Sequence, residues 1–594
     1  MDQYMEHKET ENSKTTVRRM KWVFSIGTIV PIALLTILVV QHYVNFFVWD
    51  ELSLVPFFEK MLNGGVSVGD WLRPHNDHQI FFPKLVMVGF LTLFNFELLP
   101  LLILNLFLAL VGFYLINKVQ RESIDESARR HLLVIFSSFI FFSLLQWENF
   151  LRFWQIQLIM CIVSYIAASY FLFYKKTGKQ NTLIALVFSA VSTFSFGNGI
   201  IGLFVNGFLL LLDPAQGEDR KQRLITYFTG LGVISIMFFI TFTTGGSEQS
   251  SNDLIRNIVK VPVFFLFFIG QIIVYPFYGN KILAALSLSS GALGVVVFLS
   301  NTVTLYMNRG AIKREQLFLY SLSFWVILSA LIIAVGRISF GLETSVSSRY
   351  SSFSTLFWIS NLTLFLWLFG TKERPMDWND IFSRFFIRRN KPVLWVVILI
   401  LVTGTFNSLS TIWRFPNYER TTKPALSEYY HLSANGEVLK AVYPDSLKFA
   451  GLSETMRKIK LTPFHEHPVF PYESIESIKS VQEKGFSGVI DKFTPQVVQL
   501  ELDALTPYYD LIQGKIEGVE HDDMLIEYKS DKNVKYFRLR NRISKKDTDN
   551  GFFALVSFRD LDNGEYTRKI LARNNGKWSY LKGERKLVVE QHKE

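Results

Sequence analysis

The chain has little charge and almost no cysteine. Charged residues make up 19% of its 594 positions, against roughly 25% in soluble globular domains. One cysteine, Cys161, excludes an intrachain disulfide and a cluster of thiolate metal ligands. The sequence also shows no internal repeat and no low-complexity tract. These absences exclude a disulfide-stapled secreted domain and a repeat solenoid.

Long apolar runs are what the sequence has instead. Hydrophobic residues make up 49% of the chain and 56 residues are Phe. Between Trp22 and Trp413 the apolar residues form stretches of about 17 to 25 residues, the length that a helix needs to cross a bilayer. Eleven crossings are predicted, near 22–46, 98–117, 131–146, 154–174, 181–195, 198–213, 224–242, 281–306, 317–336, 351–370 and 392–412. The bilayer is therefore the expected solvent.

The distribution of basic residues predicts the orientation. The polar N-terminus has no small-residue cleavage site after the first apolar run, which indicates an uncleaved signal anchor. The formal net charge is +11, but Lys and Arg are concentrated in alternate short loops, as the positive-inside rule describes. We therefore expect a cytoplasmic N-terminus, membrane lipid as a partner, and no nucleic acid.

Two apolar segments and the C-terminal third complete the predicted architecture. Segments 81–96 and 257–275 break the alternation of loops and are expected to lie along the outer leaflet. After Phe415 the chain becomes charged, with short strand-like runs between Asn-Gly turns. The predicted fold is an all-α polytopic membrane bundle with an extracytoplasmic α+β domain. Its parts are a cytoplasmic tail (1–21), a membrane domain (22–413) with a first outer loop at 47–82, and a soluble domain (414–594).

Two acids follow the first crossing directly. A carboxylate held against low-dielectric surroundings has a raised proton affinity and can take a proton from a hydroxyl group. Asp50 and Glu51 are therefore candidate catalytic residues. The alternative is that both serve the next helix, with Asp50 as its N-cap and Glu51 in its first turn.

The same loop continues with WLRPHNDHQIFFPK. Two imidazoles and a carboxylate suit zinc, but His-x-x-His in a loop fixes no common face, so a divalent metal is not favoured. His75, Asp77, His78 and Lys84 are instead candidates for substrate binding or for a lid. A purely structural role at the membrane interface remains the alternative.

Two further outer segments are more polar than their turns require. QWENFLRFWQIQ at 146–157 has aromatic residues that a membrane-interface belt would explain, but such a belt explains neither its charged residues nor its amides. Glu148, Arg152 and Gln155 are therefore candidate substrate-binding residues. FSFGNG at 194–199 has glycines that a turn requires, which leaves Asn198 as the candidate contact.

The outer loop at 336–354 contains Arg337, Arg349 and Tyr350. A guanidinium group at membrane depth is costly unless it is paired, and its planar fork matches a phosphate in charge and geometry. These three residues are candidates for binding a phosphate. An ion pair of Arg349 with Asp50 or Glu343 is the structural alternative.

Taken in order, these motifs resemble a family. WDE at 49–51, HNDHQIFFPKL at 75–85, QWENFLRFWQ, FSFGNG and SSRY at 347–350 are similar to outer segments of bacterial members of the GT-C superfamily. That superfamily of integral-membrane glycosyltransferases includes oligosaccharyltransferases, protein O-mannosyltransferases and aminoarabinose transferases. The resemblance covers roughly residues 20–413 and leaves the C-terminal third unassigned.

The resemblance implies an activity in the bacterial cell membrane. Such enzymes transfer a sugar from a polyprenyl-phosphate donor to a cell-envelope glycan or lipid acceptor outside the cytoplasm, with inversion. Asp50 would be the general base, and Arg349 with Arg337 would hold the phosphate. Without an Asp-x-Asp motif, a metal requirement is not expected. A lipid-linked oligosaccharide flippase or other transporter, and a polysaccharide polymerase of the same pathway, remain alternatives.

Overall fold

The computed structural model describes residues 25–76, 78–123, 127–215, 217–241, 258–276, 280–369 and 402–430, and shorter segments between 443 and 589. Asp77 lies outside the described residues. The chain divides into two compact units, residues 1–44 with 66–418, and residues 45–65 with 419–594.

Fifteen labelled helices lie wholly or partly in the first unit. They are α1 (Ser25–His42), α3 (Val68–Leu72), α4 (Phe81–Leu93), α5 (Leu99–Ser123), α6 (Ser127–Phe141), α7 (Trp147–Leu151), α8 (Ile156–Ser169), α9 (Lys179–Thr193), α10 (Gly199–Leu210), α11 (Gly217–Thr241), α12 (Val261–Gly270), α13 (Lys281–Met307), α14 (Arg314–Arg337), α15 (Ser351–Phe369) and α16 (Arg414–Tyr430). α2 (Val55–Leu62) belongs to the second unit. α8 continues as a π-helical turn over Tyr170–Tyr174.

Among the described residues, eight helical segments are long and apolar enough to cross a membrane. They are Ser25–His42, Leu99–Ser123, Arg130–Leu151, Phe153–Tyr174, Gly217–Thr241, Lys281–Met307, Arg314–Phe340 and Ser348–Leu368. Each coincides with a predicted crossing. The chain is therefore a largely helical, multi-pass membrane protein.

Three predicted crossings are not among these eight segments. Those at 181–195 and 198–213 fold as α9 and α10, which have 15 and 12 residues. At 1.5 Å per residue, helices of this length span about 22 Å and 18 Å, less than the roughly 30 Å of hydrocarbon. Residues 392–401 of the predicted crossing at 392–412 lie outside the described residues, and residues 402–409 of it are helical. The two segments set apart in the sequence, 81–96 and 257–275, form the short helices α4 and α12.

The segment Phe153–Tyr174 is the centre of the helical bundle. Of its most apolar window 89% is buried, against 17% for α11 and 22% for α13. These two outer helices expose large apolar side chains such as Phe239 and Val296. Such apolar faces are stable in contact with lipid, whereas their exposure to water would be unfavourable.

Glycines let α12 and α13 cross at backbone contact. A Cβ added to Gly270 would lie 2.0 Å from the carbonyl oxygen of Ser287, and one added to Gly291 would lie 2.1 Å from that of Leu266. Any side chain at either position would force the helices apart. Small residues at a crossing are how membrane helices pack without a hydrophobic driving force.

Helix α15 is hydrogen-bonded to several neighbouring helices. Ser354 Oγ donates to the carbonyl of Ile269 (2.7 Å), and Asn361 Nδ2 donates to that of Gly294 (3.0 Å). Asn301 Nδ2 of α13 donates to Asn361 Oδ1 (2.8 Å), and Gln120 Nε2 of α5 donates to Thr363 Oγ1 (2.8 Å). These bonds fix the position of α15, whose first residue directly follows Tyr350.

A buried ionic cluster ties four segments together at the end of α8. Asp213 Oδ2 accepts from Arg223 Nη2 (2.8 Å) and from Arg314 Nε (3.3 Å). Both arginines also donate to the carbonyl of Leu172, at 2.8 Å and 2.6 Å. That carbonyl lies in the last turn of the helix, where main-chain acceptors lack intrahelical partners and attract cations. The cluster therefore closes the end of the central helix.

The second unit contains a helical segment and nine described strands. A 3₁₀ helix at Trp49–Leu54 runs into α2 (Val55–Leu62). The strands are β1 (Gly488–Gln496), β2 (Tyr509–Ile516), β3 (Asp523–Lys529), β4 (Val534–Arg538), β5 (Arg540–Asn541), β6 (Gly551–Ser557), β7 (Gly564–Asn574), β8 (Lys577–Tyr580) and β9 (Arg585–Val589). They form antiparallel sheets in the orders β1-β2-β6-β5 and β4-β3-β7-β8, with β9 also paired to β7.

Candidate functional site

The predicted lid contains a tight hairpin whose two histidine rings point to different segments. His75 N donates to the carbonyl of His78 (2.9 Å), and His78 N donates to that of His75 (3.0 Å). Asn76, at the turn, has a φ of +49°, which Asn tolerates better than most residues. The His75 ring packs edge-on against Trp154 (4.7 Å between centroids), and the His78 ring lies 4.0 Å from that of Phe196. The hairpin thus joins the motifs at 146–157 and 194–199.

The segment at 146–157 is locked to the start of α15. Asn149 Nδ2 donates to the carbonyl of Arg349 (3.2 Å) and to Ser352 Oγ (2.7 Å). Glu148 N donates to Ser348 Oγ (3.1 Å), and Ser348 Oγ donates to the carbonyl of Leu145 (2.6 Å). The motifs QWENFLRFWQ and SSRY therefore form one hydrogen-bonded unit, although about 200 residues separate them.

Two arginines belong to this hydrogen-bonded unit. Arg349 has its main chain fixed by Asn149, and its guanidinium lies 5.4 Å from the ring centroid of Tyr350. Arg152 follows α7 directly, is half-buried, and lies over the ring of Trp147 at 5.9 Å. Its Nε is buried without a hydrogen-bond partner among the described residues. A buried donor without a partner favours a polar ligand at that place.

The turn at 194–199 contributes a buried amide. The Asn198 carbonyl accepts from Trp325 Nε1 (2.8 Å), while its Nδ2 has no partner among the described residues. Gly199 is required here, because a Cβ at this position would lie 2.1 Å from the carbonyl oxygen of Ser192. The Phe196 ring lies 6.5 Å from that of Phe353 in α15. The turn therefore belongs to the same end of the bundle as Arg349.

Four predicted binding residues remain, Gln155, Glu148, Arg337 and Tyr350. Gln155 is buried and Glu148 is half-buried beside Ser348. Arg337 ends α14, with its guanidinium 5.6 Å from the ring centroid of Phe340. Tyr350 is buried and packs on Phe268 at 5.6 Å.

Lys84 does not project as a lid residue would. Its Nζ donates to the main-chain carbonyls of Asp70 (2.9 Å), Trp71 (3.3 Å) and Arg73 (3.0 Å). Burial is the main reason why the pKa of Lys84 is lowered to about 8, with a further contribution from Arg73 that Asp70 opposes. These contacts place the ammonium group on the main chain of the loop.

The acid pair lies in the second unit. Glu51 is 2% exposed, and its Oε2 accepts from Val48 N (2.8 Å), so it closes the start of the 3₁₀ helix. In the structural alternative for this pair Asp50 would be the N-cap, but the N-cap is Val48, and Asp50 is the second helical residue, in the first turn together with Glu51. Asp50 is half-buried and follows Trp49, whose φ of +53° is strained for a bulky residue. The Glu51 carboxylate is thus committed to the main chain.

Asn149, Ser348 and Ser352 make the hydrogen bonds that join the two motifs, and none of them is among the predicted site residues. The signal was present for Asn149, a polar residue inside an aromatic motif. The signal for the serines was absent, since a serine at a helix start is ordinarily a cap. Among the described residues, no three His, Cys, Asp or Glu are grouped to hold a metal ion.

Comparison of the chain with protein-family models, curated proteins and solved structures finds no match. The resemblance to glycosyltransferases therefore rests on the sequence motifs alone.

Proposed function

We propose that the chain is a membrane glycosyltransferase that takes its sugar from a polyprenyl-phosphate donor. The observation that carries this proposal is the convergence of four motifs, HNDH, QWENFLRFWQ, FSFGNG and SSRY, at one end of the bundle around Arg349 and Arg152. A cluster with two guanidinium groups, aromatic rings and buried amides suits a ligand that is both a phosphate and a sugar. The eight candidate membrane spans support the proposal, because a lipid-linked donor is dissolved in the bilayer.

The phosphate is assigned to Arg349. As the sugar leaves, the bond between its anomeric carbon and the phosphate oxygen breaks, and the electron pair stays on the phosphate. A guanidinium group that lies over the Tyr350 ring, on a main chain fixed by Asn149, stabilises that growing charge with little reorganisation. Arg152, whose Nε has no hydrogen-bond partner in the described part of the chain, is the second donor to the phosphate or to a sugar oxygen. Arg337 remains a weaker candidate.

The general base is proposed to be Asp50. It takes the proton of the acceptor hydroxyl while that oxygen bonds to the anomeric carbon from the side opposite the phosphate, which inverts the configuration. Two features of the second unit support this choice over Glu51. The Glu51 carboxylate is hydrogen-bonded to main chain, and the strained backbone of Trp49 lies directly before Asp50, as backbone strain often does at functional sites.

The acceptor is proposed to be a cell-envelope glycan or lipid outside the cytoplasm of a bacterium. This follows from the predicted orientation of the loops. Assays distinguish a single-sugar transferase from two alternatives, which are a flippase or other transporter and a polysaccharide polymerase. Vesicle uptake without glycoside formation indicates the first, and long products indicate the second.

The test is sugar transfer by membranes that contain single variants. Arg349→Ala and Asp50→Asn are expected to lose transfer from polyprenyl-phosphate sugars. Arg309→Ala is the matched control, because Arg309 lies over Tyr306 at 5.3 Å, nearly the geometry of Arg349 over Tyr350, but on the loop that leads into α14. Normal turnover in both test variants would refute the assignment.

A further inference from the structure

Lys84 joins the start of α4 to the end of α3. It lies in the first turn of α4 and is 6% exposed. Its three hydrogen bonds go to carbonyls of residues 70, 71 and 73, all at the end of α3. The last carbonyls of a helix have no intrahelical partner, and an ammonium group has three N–H donors. One side chain thus satisfies the end of α3.

The opposite end of α3 is also closed. Asp70 N donates to Ser67 Oγ (3.2 Å), and Ser67 N donates to Asp70 Oδ2 (3.0 Å), which is a reciprocal capping box. Residues 67–73 are therefore fixed at both ends. One residue, Pro74, separates Arg73 from the hairpin that begins at His75.

Beyond the hairpin the chain is fixed again. Gln79 Nε2 donates to the carbonyl of Thr241, and Phe82 N donates to that of Phe194 (3.3 Å). Because Lys84 belongs to the helix that follows the hairpin and binds the chain that precedes it, it closes the base of a loop from residue 70 to residue 84. The hairpin lies inside that closed loop.

We infer that Lys84 is a positioning residue, whose contacts with the main chain of residues 70–73 keep the His75–His78 hairpin seated on Trp154 and Phe196. The inference rests on the proposed function only in taking the hairpin as part of the site. It assigns Lys84 to the protein's own main chain and not to the substrate.

Burial works against the charge of Lys84. Protonated Lys84 offers three donors to three carbonyls, but burial lowers the pKa of its ammonium group to about 8, with a further contribution from Arg73 that Asp70 opposes. The loop also contains the titratable residues His75 and His78. An open loop would return Lys84 to water and to its ordinary pKa of 10.5, so the open form keeps its proton at a pH at which the closed form loses it. The closed loop is therefore favoured as the pH rises through about 8.

Hydrogen–deuterium exchange of the full chain in lipid nanodiscs tests the inference without any sugar donor. The peptide that covers residues 73–80 includes the His75 and His78 amides, which are paired in the hairpin. In Lys84→Met these amides are expected to exchange about tenfold faster or more at pH 7, since hydrogen bonds to a charged group contribute about 1.5–3 kcal/mol. Lys84→Arg should retain most of the protection. Lys281→Met, which alters an exposed lysine at the start of α13, should exchange like wild type.

Two outcomes would overturn the inference. One is unchanged exchange of residues 73–80 in Lys84→Met. The other is wild-type exchange that, corrected for the intrinsic effect of pH, does not become slower between pH 7 and pH 9; this second measurement serves even where the methionine variant fails to fold. Failure of the proposed function is a different result, because lost transfer in Arg349→Ala with normal protection of the hairpin leaves the Lys84 contacts intact.

Discussion

Removing the carboxylate of Asp213 should destabilise the bundle more than any other loss of one charge described above. Its side chain is fully buried between Arg223, whose side chain is 2% exposed, and Arg314, whose side chain is 18% exposed. Breaking a buried ion pair by removing one partner costs about 3–5 kcal/mol. Because Arg314 keeps some contact with solvent and both arginines still bind the carbonyl of Leu172, we expect Asp213→Asn to cost about 3 kcal/mol, the lower end of that range.

Cys161 supplies the assay for this prediction. It is the chain's one cysteine and is fully buried in α8, so a dye that becomes fluorescent on reacting with thiols reports thermal unfolding of the central helix. Asp213→Asn should lower the midpoint by several degrees. Asp219→Asn is the control, because Asp219 makes an exposed contact with Thr177 at 3.5 Å and should shift nothing measurable. Equal midpoints for the two variants would refute the reasoning.

Two further predictions concern the acid pair and the close crossing of α12 and α13. Asp50→Asn should abolish transfer with little effect on amide exchange at Val48, whereas Glu51→Ala should speed that exchange by removing a cap that contributes about 1 kcal/mol; the reverse pattern would make Glu51 the base. Gly291→Ala should lower the midpoint of the thiol-dye assay, because its Cβ would lie 2.1 Å from a carbonyl oxygen of α12. Gly232→Ala, whose Cβ meets nothing within 4 Å, should be neutral or slightly stabilising, and equal effects would contradict the close crossing.

Hydropathy was enough to predict most of the membrane fold. Each of the eight long apolar helices coincides with a predicted crossing, because one long apolar run is a local property. The segments at 181–195 and 198–213 look like crossings for the same reason. They fold as shorter helices joined by a tight turn, in which Gly199 packs on the backbone of Ser192. Hydropathy does not register that contact.

The site was predictable as a set of motifs but not as an arrangement. Arg349, Arg152 and the histidines stand out as polar residues among apolar ones. Their partners do not, because Asn149 binds Arg349 across about 200 residues of chain and Lys84 binds carbonyls, which every residue has. The capping role went to Glu51 and not Asp50 because the helix begins at Trp49, one residue earlier than the acid pair indicates.

Binding of a polyprenyl phosphate by the purified protein tests the central claim most directly, since it needs neither the sugar nor the acceptor. Wild type and Arg309→Ala should bind the lipid phosphate equally. Arg349→Ala should bind it roughly 10- to 150-fold more weakly, the equivalent of about 1.5–3 kcal/mol for hydrogen bonds to a charged group. Equal affinity of all three proteins would show that the phosphate is not held at Arg349 and would contradict the proposal.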